Sequence, residues 1–269
     1  VAYYSDIKEI FWNSTSLSVE LFNVSSTGSQ DWNVSHGQWY WQSGQIQGHG
    51  IFFFDMLGEA VFGNVVMTGE GSAFGLQHHG STALIFNEGQ ISDYYHGIIK
   101  GQGKLGLRCS ALSQLTTAVQ LHDQALLMIN EGFGRNQWVE NDIHLSFQQA
   151  LSPMIQGGGN YFSESESNPS VEGAIQSTVG EMNWSGNEWE NESFINECVM
   201  YNANNELVEM VITPMQGYQG CGNEEMYDFK NASVNPQGLS LFPNPARIGQ
   251  DVRWNGGVPD KIIDASGRD

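Results

Sequence analysis

Basic residues, long apolar runs and helical periodicity are scarce or absent in this sequence. Ten Lys and Arg residues stand against thirty Asp and Glu residues in 269, which gives a net charge of −20. A surface of this charge repels phosphate backbones, so we expect no nucleic-acid partner. No apolar run approaches the ~20 residues of a membrane-spanning helix, so we expect no membrane span. Apolar residues also fail to recur every three to four positions, which argues against a helical protein.

Cysteine is rare as well. The three cysteines make an odd count, and none of them lies in a Cys-x-x-Cys metal-binding pattern. In an exported protein Cys198 and Cys221 could form a disulfide, which would leave Cys109 as a free thiol. The many carboxylates are consistent with a solubilising surface or with Ca²⁺ binding. The first interpretation is favoured, because the sequence contains no recognisable Ca²⁺-binding loop. We therefore expect no metal site and no cofactor, and Ca²⁺ is the one ion that the composition leaves open.

A short repeat, with a period of about 22 residues, fills the first half of the chain. Cut from Glu59 in steps of that length, successive segments each contain one alternating apolar strand, a polar turn rich in Gly or Asn, and a second apolar strand after a small residue. The second strand begins at Gly75-Leu76, Gly97-Ile98, Ala118-Val119 and Asp142-Ile143. Alternation inside such a period predicts a solenoid, because a single coil cannot bury its apolar face alone.

Asparagines recur at one turn of this repeat. Asn64, Asn87 and Asn130 occupy equivalent positions by sequence alignment, and Cys109 takes the position in the coil between the last two. Stacked asparagines can hydrogen-bond along a solenoid and satisfy buried turn amides. The alignment predicts that these residues line one turn column, with Cys109 as a buried and unreactive thiol.

The repeat resembles the right-handed parallel β-helix of the pectate-lyase-like superfamily over about residues 16–152. The resemblance implies an all-β fold in which residues 1–152 form the parallel coils of a solenoid, one coil for each repeat. The period is lost after Pro153. We therefore expect irregular final coils or a β cap over 153–230 and a linker over 231–238. The chain opens at Val1 without a Met or a signal-peptide pattern, which indicates a processed form or a fragment.

The last thirty residues contain a separate pair of motifs. An apolar strand from Leu239 runs into Phe242-Pro243-Asn244-Pro245, a short strand follows at 252–254, and Ile262-Ile263 precedes the turn that ends in Gly267-Arg268. This order resembles the start of the C-terminal sorting domain of type IX secretion in Bacteroidota. The resemblance implies that residues 239–269 are a truncated β-sandwich sorting domain, that the type IX secretion machinery is a partner, and that the protein is extracellular or on the outer cell surface.

Candidate catalytic residues cluster in the second strand of the repeat. His79 and His122 take equivalent positions two coils apart, Gly101 lies between them, and Lys100 belongs to the same strand set. A His or Lys beside Asp123 could abstract a sugar C5 proton. Isolated His residues in strands are more often packing or surface groups, and no pair of facing carboxylates on adjacent coils suggests a glycosidase.

Aromatic side chains crowd the first coils, and Trp39 and Trp41 are candidate carbohydrate-stacking residues. His144 is a further candidate ligand-binding residue, and capping of the solenoid end is the structural alternative for the tryptophans. The sequence therefore predicts a structural, adhesive or glycan-binding protein that contacts an extracellular polysaccharide or associates with itself through its aromatic-rich start. The alternative is a polysaccharide lyase or glycoside hydrolase of the β-helix type.

Overall fold

The structure is a computed structural model. It describes residues 18–130, 132–163, 170–190, 198–213 and 221, together with the backbone of short strands at 2–3, 6–7, 11–13, 240–242 and 253–255. Strands and turns account for all regular structure in these residues, and none of them is helical. In this described part there is accordingly no helix that could cross a membrane. Contacts divide the chain into two units, Val1–Cys221 and Gly222–Asp269.

The first unit winds between two large parallel sheets. Sheet 1 has thirteen strands: β1 (Ala2–Tyr3), β2 (Asp6–Ile7), β4 (Ser18–Thr27), β6 (Gln38–Gln47), β8 (Ala60–Thr68), β10 (Leu84–Asn87), β11 (Gln90–Ser92), β13 (Gly103–Arg108), β14 (Ala111–Ser113), β16 (Ala125–Met128), β17 (Gln137–Val139), β19 (Tyr161–Phe162) and β22 (Glu188–Trp189). Sheet 2 has nine strands: β3 (Phe11–Asn13), β5 (Trp32–Ser35), β7 (Ile51–Phe54), β9 (Phe74–His79), β12 (His96–Lys100), β15 (Thr117–His122), β18 (Ile143–Ala150), β20 (Val171–Ile175) and β23 (Cys198–Tyr201).

The chain alternates between the sheets, and this alternation confirms the parallel β-helix that the repeat predicts. Leu76 pairs with Ile98 and Ile98 with Val119, so the middle coils have nearly constant length. Later coils are longer, since more of the sequence separates Val119 from its partner Leu145. Every described pairing between neighbouring coils of sheets 1 and 2 is parallel, as connections of this kind require, and the winding is consistent with a right-handed β-helix.

The strands after Pro153 continue both sheets. Strands β19 and β22 extend sheet 1, and β20 and β23 extend sheet 2. A third, two-stranded parallel sheet forms from β21 (Glu181–Asn183) and β24 (Glu209–Val211). Coils therefore persist well beyond Ser152, with longer and less regular connections between their strands.

The core is a set of columns in which each residue stacks on its equivalent in the next coil. In sheet 2 the column from Ile51 to Val171 is fully buried: Ile51, Leu76, Ile98, Val119, Leu145 and Val171. Near the C-terminal end Trp138, Phe162 and Trp189 stack with ring centroids 4.6 and 4.0 Å apart. Burial of such columns supplies the main favourable free energy of folding, because no coil covers its own apolar face.

One corner of sheet 1 bends through residues with positive φ. Asn64, Glu88 and Cys109 have φ angles of 54°, 54° and 52°, and they align across three successive coils. This register corrects the predicted turn column by one residue, because Asn87 pairs with Gly63 and Arg108 instead of aligning with Asn64 and Cys109. The side-chain oxygens of Asn87 and Asn130 have no hydrogen-bond partner among the described residues, so no asparagine ladder forms at these positions.

An asparagine ladder does form elsewhere along the same sheet, in the later coils. The side-chain amide of Asn136 donates to Asn160 Oδ1 at 2.9 Å, and that of Asn160 donates to Asn187 Oδ1 at 2.7 Å. Backbone N–H groups of Asn136 and Asn160 donate to the same oxygens. All three side chains are fully buried, so the ladder satisfies turn amides that would otherwise lack partners.

The disulfide differs from the predicted pairing. Cys109 bonds to Cys221, with the two Cα atoms 5.7 Å apart, and Cys198 is a buried cysteine on β23 that takes no part in the bond. Cys198 does not pair with Cys221 because its side chain points into the core between the sheets. The thiol predicted to be inert is therefore the one that is covalently bonded.

The second unit contains one described hairpin. Strand β25 (Ser240–Phe242) pairs antiparallel with β26 (Arg253–Asn255), and Leu241 lies opposite Trp254. These two strands lie where the resemblance to a sorting domain places strands. Pro243, Asn244, Pro245, Gly267 and Arg268 lie outside the described residues, so the sorting domain itself stays a prediction.

Candidate functional site

The candidate catalytic residues are split between the two faces of sheet 2. His79, Gly101 and His122 align on the outer face, because Lys100 pairs with His78 on one side and with Leu121 on the other. This confirms the predicted equivalence of His79 and His122. Lys100 and His78, one position earlier, are fully buried on the inner face. Alternating side chains along a strand make this separation unavoidable.

Lys100 therefore cannot serve as a base beside His79. Its Nζ atom donates to the carbonyl oxygens of Gly80 and Thr82 at 2.7 and 3.0 Å and to that of Gln102, and it lies 3.0 Å from His78 Nδ1. Burial lowers the pKa of Lys100 to about 7. These bonds tie together the connecting turns of two successive coils, which is a structural role.

His78 completes this buried cluster as a neutral ring. Burial, followed by the nearby charge of Lys100, lowers the pKa of His78 to about 3. Its Nδ1 accepts from the Gly80 N–H at 3.2 Å, so its Nε2 carries the proton and faces Thr82 Oγ1, also at 3.2 Å. Both side chains of the pair are fully buried, so the cluster offers no access to a substrate.

The three candidate ligand-binding residues are also buried. Trp39 and Trp41 have 1% and 0% of their surface exposed and pack against Trp32, which forms a stacked pair with Trp41 at 5.6 Å. His144 is fully buried, and its Nε2 donates to the Ser163 carbonyl oxygen at 2.9 Å. These residues belong to the core. Their burial corrects the expectation that Trp39, Trp41 or His144 contacts a ligand, or that the tryptophans meet another chain.

The outer face of sheet 2 instead carries an open groove at its C-terminal coils. The groove has a volume of about 670 Å³. A column of equivalent positions on four successive coils forms its floor: His122, Gln148, Ala174 and Tyr201. Asp123 follows His122 directly, and Glu172 lies two residues before Ala174. The groove therefore combines one imidazole, two carboxylates, three side-chain amides and the exposed aromatic ring of Tyr201.

A local irregularity of sheet 2 lies at this groove. The pairing of β18 with β20 shifts register between Gln148 and Ala150, and Gln149 has a φ of 59°. Gly173 pairs with Phe147, just before the bulge, and has a φ of 118°, and a Cβ atom there would collide with the Phe147 carbonyl oxygen. The bulge adds Gln149 to the groove wall, as bulges often do beside binding sites. The small side chain of Ala174 leaves space between Gln148 and Tyr201.

The electrostatics of the groove are set by carboxylates. Burial lowers the pKa of His122 and the nearby His79 lowers it further, whereas Asp123 raises it. The net direction is down, so His122 is mainly neutral at neutral pH. Ser146 Oγ lies 3.4 Å from Glu172 Oε1, a long contact that leaves the carboxylate open to the groove. Among the described residues that line the groove, none is Lys or Arg.

Sequence reasoning locates His122 and Asp123 but misses Gln148, Glu172 and Tyr201. Gln148 lies inside the predicted coils, whereas Glu172 and Tyr201 lie after Pro153, where the lengthened coils hide the repeat. The signal that could have found Tyr201 is the alternating run Cys198-Val-Met-Tyr201, which places it on the outer face if Cys198 and Met200 face the core. Burial confirms that orientation.

Among the described residues, no group of three or more His, Cys, Asp or Glu side chains is arranged to hold a metal ion. Comparisons with protein-family models, with curated proteins and with solved structures gave no match to this chain. The chemistry of the groove is therefore the basis for a functional conclusion.

Proposed function

We propose that this protein is an exported β-helix that binds carbohydrate in the groove of sheet 2. The observation that carries the proposal is the placement of Tyr201, 38% exposed, beside Glu172, Asp123 and Gln148 in one open groove. A sugar ring presents apolar C–H faces and many hydroxyls. An exposed aromatic ring surrounded by amide and carboxylate oxygens is suited to both.

The proposal is tested by measuring affinity for a panel of soluble polysaccharides and oligosaccharides with calorimetry. Tyr201→Ala should weaken binding roughly threefold to tenfold, the value of one aromatic contact. Tyr95→Ala is the matched control, because Tyr95 is 56% exposed but lies outside the groove. If the two variants bind every sugar as the unchanged protein does, the groove is not a carbohydrate site.

A second candidate function is polysaccharide cleavage, which the presence of His122 and Asp123 in the same groove favours. A neutral imidazole held beside a carboxylate can accept a proton from a sugar carbon or from water. Incubation with plant and marine polysaccharides, followed by assays for unsaturated products and reducing ends, separates cleavage from binding. Loss of a measured activity in His79→Ala with His122→Ala would support the enzyme.

We also propose that the protein acts outside the cell and is exported by the type IX secretion machinery. The Cys109–Cys221 disulfide supports an oxidising compartment. The β25–β26 hairpin and the Phe242–Pro245 motif support the sorting-domain resemblance. Deletion of residues 239–269 should leave the first unit folded and abolish export in the native host. Normal export of that variant would contradict the secretion route.

An adhesive role through self-association is also part of this proposal. The end coil of one solenoid can stack on the end coil of another copy. The aromatic cluster around Trp39 and Trp41 is excluded as its contact, since it is buried. Analytical ultracentrifugation over a range of concentrations tests for association. A monomer at all concentrations would restrict the function to glycan binding.

A further inference from the structure

Carboxylates supply the formal charge among the described residues that line the groove of sheet 2. Asp123 and Glu172 line the groove, and the side chains that line it with them are neutral amides, aromatic or apolar groups and an imidazole whose pKa is lowered by burial. These lining residues therefore include no cation that could pair with a carboxylate, sulfate or phosphate of a ligand. An anionic polysaccharide would meet repulsion there.

The described cations of the first unit lie elsewhere. Lys100 is buried, while Lys104 and Arg108 belong to β13 of sheet 1, and Arg135 lies at the corner before β17. The chain as a whole carries a net charge of −20, so its field attracts cations toward the surface. The long-range field and the carboxylates at the groove thus both favour a positively charged ligand.

We infer that the glycan bound in this groove carries free, protonated amino groups, as a partly or fully deacetylated amino-sugar polymer does. This inference rests on the proposed carbohydrate-binding function and specifies its ligand class. The amine of one sugar unit pairs with Glu172 or Asp123, and the ring of a neighbouring unit packs on Tyr201. Coils repeat at ~4.8 Å, which is close to the length of one sugar unit, so successive units meet equivalent positions of successive coils.

Three hexamers with the same β-1,4 backbone test the inference near neutral pH. They are the glucosamine hexamer, the N-acetylglucosamine hexamer and the glucose hexamer, which differ only at the substituent on C2. We expect the glucosamine hexamer to bind most tightly. Glu172→Gln should weaken that binding roughly twofold to fivefold, the effect of one exposed ion pair, with little change for the other two hexamers.

Glu181→Gln is the matched control. It removes the same charge from an exposed glutamate on β21, which does not line the groove. If Glu181→Gln weakens the glucosamine hexamer as much as Glu172→Gln does, the attraction comes from total charge and the inference is wrong. The double variant Asp123→Asn with Glu172→Gln should abolish the preference for the amine.

The outcomes separate this inference from the proposed function. If the three hexamers bind equally and Tyr201→Ala weakens all of them, the groove binds carbohydrate but does not select amines. If none of the hexamers binds, or if Tyr201→Ala changes nothing, then the binding function in this groove fails together with the inference. Added salt should weaken the glucosamine hexamer selectively, and equal salt effects on all three would also overturn the amine assignment.

Discussion

Lys100 Nζ lies 3.0 Å from His78 Nδ1 in the interior of the first unit, on adjacent coils of sheet 2. By sequence alone Lys100 is a plausible part of a surface site, because it precedes Gly101, which aligns with His79 and His122. Because side chains alternate along a strand, His79 and Gly101 lie on the outer face, whereas His78 and Lys100 lie in the core. The buried pair and the outer groove lead to separate predictions.

Lys100→Met should destabilise the protein by about 2–4 kcal/mol, because the substitution leaves partly buried carbonyl oxygens without their donor. The carbonyl groups concerned are those of Gly80 and Thr82. Chemical denaturation measures the change, and Lys104→Met is the control. Lys104 is exposed, so its replacement should change the free energy of unfolding by less than about 0.5 kcal/mol. Equal effects of the two variants would contradict the anchoring role of Lys100.

Stability should fall as pH decreases from about 6.5. Burial holds the pKa of His78 at about 3 and that of His144 at about 4. The unfolded chain, with ordinary imidazoles near pKa ~6.5, therefore binds more protons throughout this window. The contribution of these two neutral rings to the free energy of unfolding is complete above that pH. It is lost progressively as the pH falls toward the pKa values of the folded state. Unfolding free energies measured across this range give the slope, and a flat profile would show that the rings are not held neutral.

Asn160→Ala should cost about 2–3 kcal/mol, because it breaks the ladder in its centre and leaves buried polar groups unpaired. Asn136 then loses one of the two acceptors of its side-chain amide, and Asn187 Oδ1 loses a side-chain donor in a buried site. Asn204→Ala is the control, since Asn204 is exposed. Thermal unfolding of the two variants distinguishes them. A similar midpoint for both would mean that the ladder does not support the corner.

Loss of the Cys109–Cys221 disulfide should destabilise the first unit. The bond closes a loop with a sequence separation of 112 residues. A loop of this size corresponds to about 4–5 kcal/mol in the chain-entropy description. Cys109→Ala with Cys221→Ala should lower the thermal midpoint, whereas Cys198→Ala should cause only the smaller loss of a buried side chain. Thiol titration of the denatured, unreduced protein should find one thiol, and three would contradict the bond.

The repeat is readable from sequence because the middle coils have nearly constant length. Leu76, Ile98 and Val119 fall at nearly equal intervals, so the sheet and the outer position of His122 follow from simple alignment. The alignment misplaces the turn column because Asn87 and Glu88 are adjacent, and only pairing with Arg108 decides which of them occupies the corner.

The groove could not be predicted from the sequence, for a different reason. The intervals from Val119 to Leu145 and from Leu145 to Val171 exceed those of the middle coils, so a fixed period loses the register before Glu172 and Tyr201. The burial of Trp39 and Trp41 is equally unreadable, because alternation shows that the two share a face but does not say which face points inward. Stacking on Trp32 and packing on Phe62 decide it.

The most direct test of the proposal that this groove binds carbohydrate is an NMR titration of the isotope-labelled protein with the glucosamine hexamer. We predict concentration-dependent shifts of the backbone amides of Gln148, Gly173 and Tyr201, which belong to the groove. The amides of Val61 and Ile85, on the opposite sheet, should not move. Shifts confined to sheet 1, or no shifts at any concentration, would contradict the account.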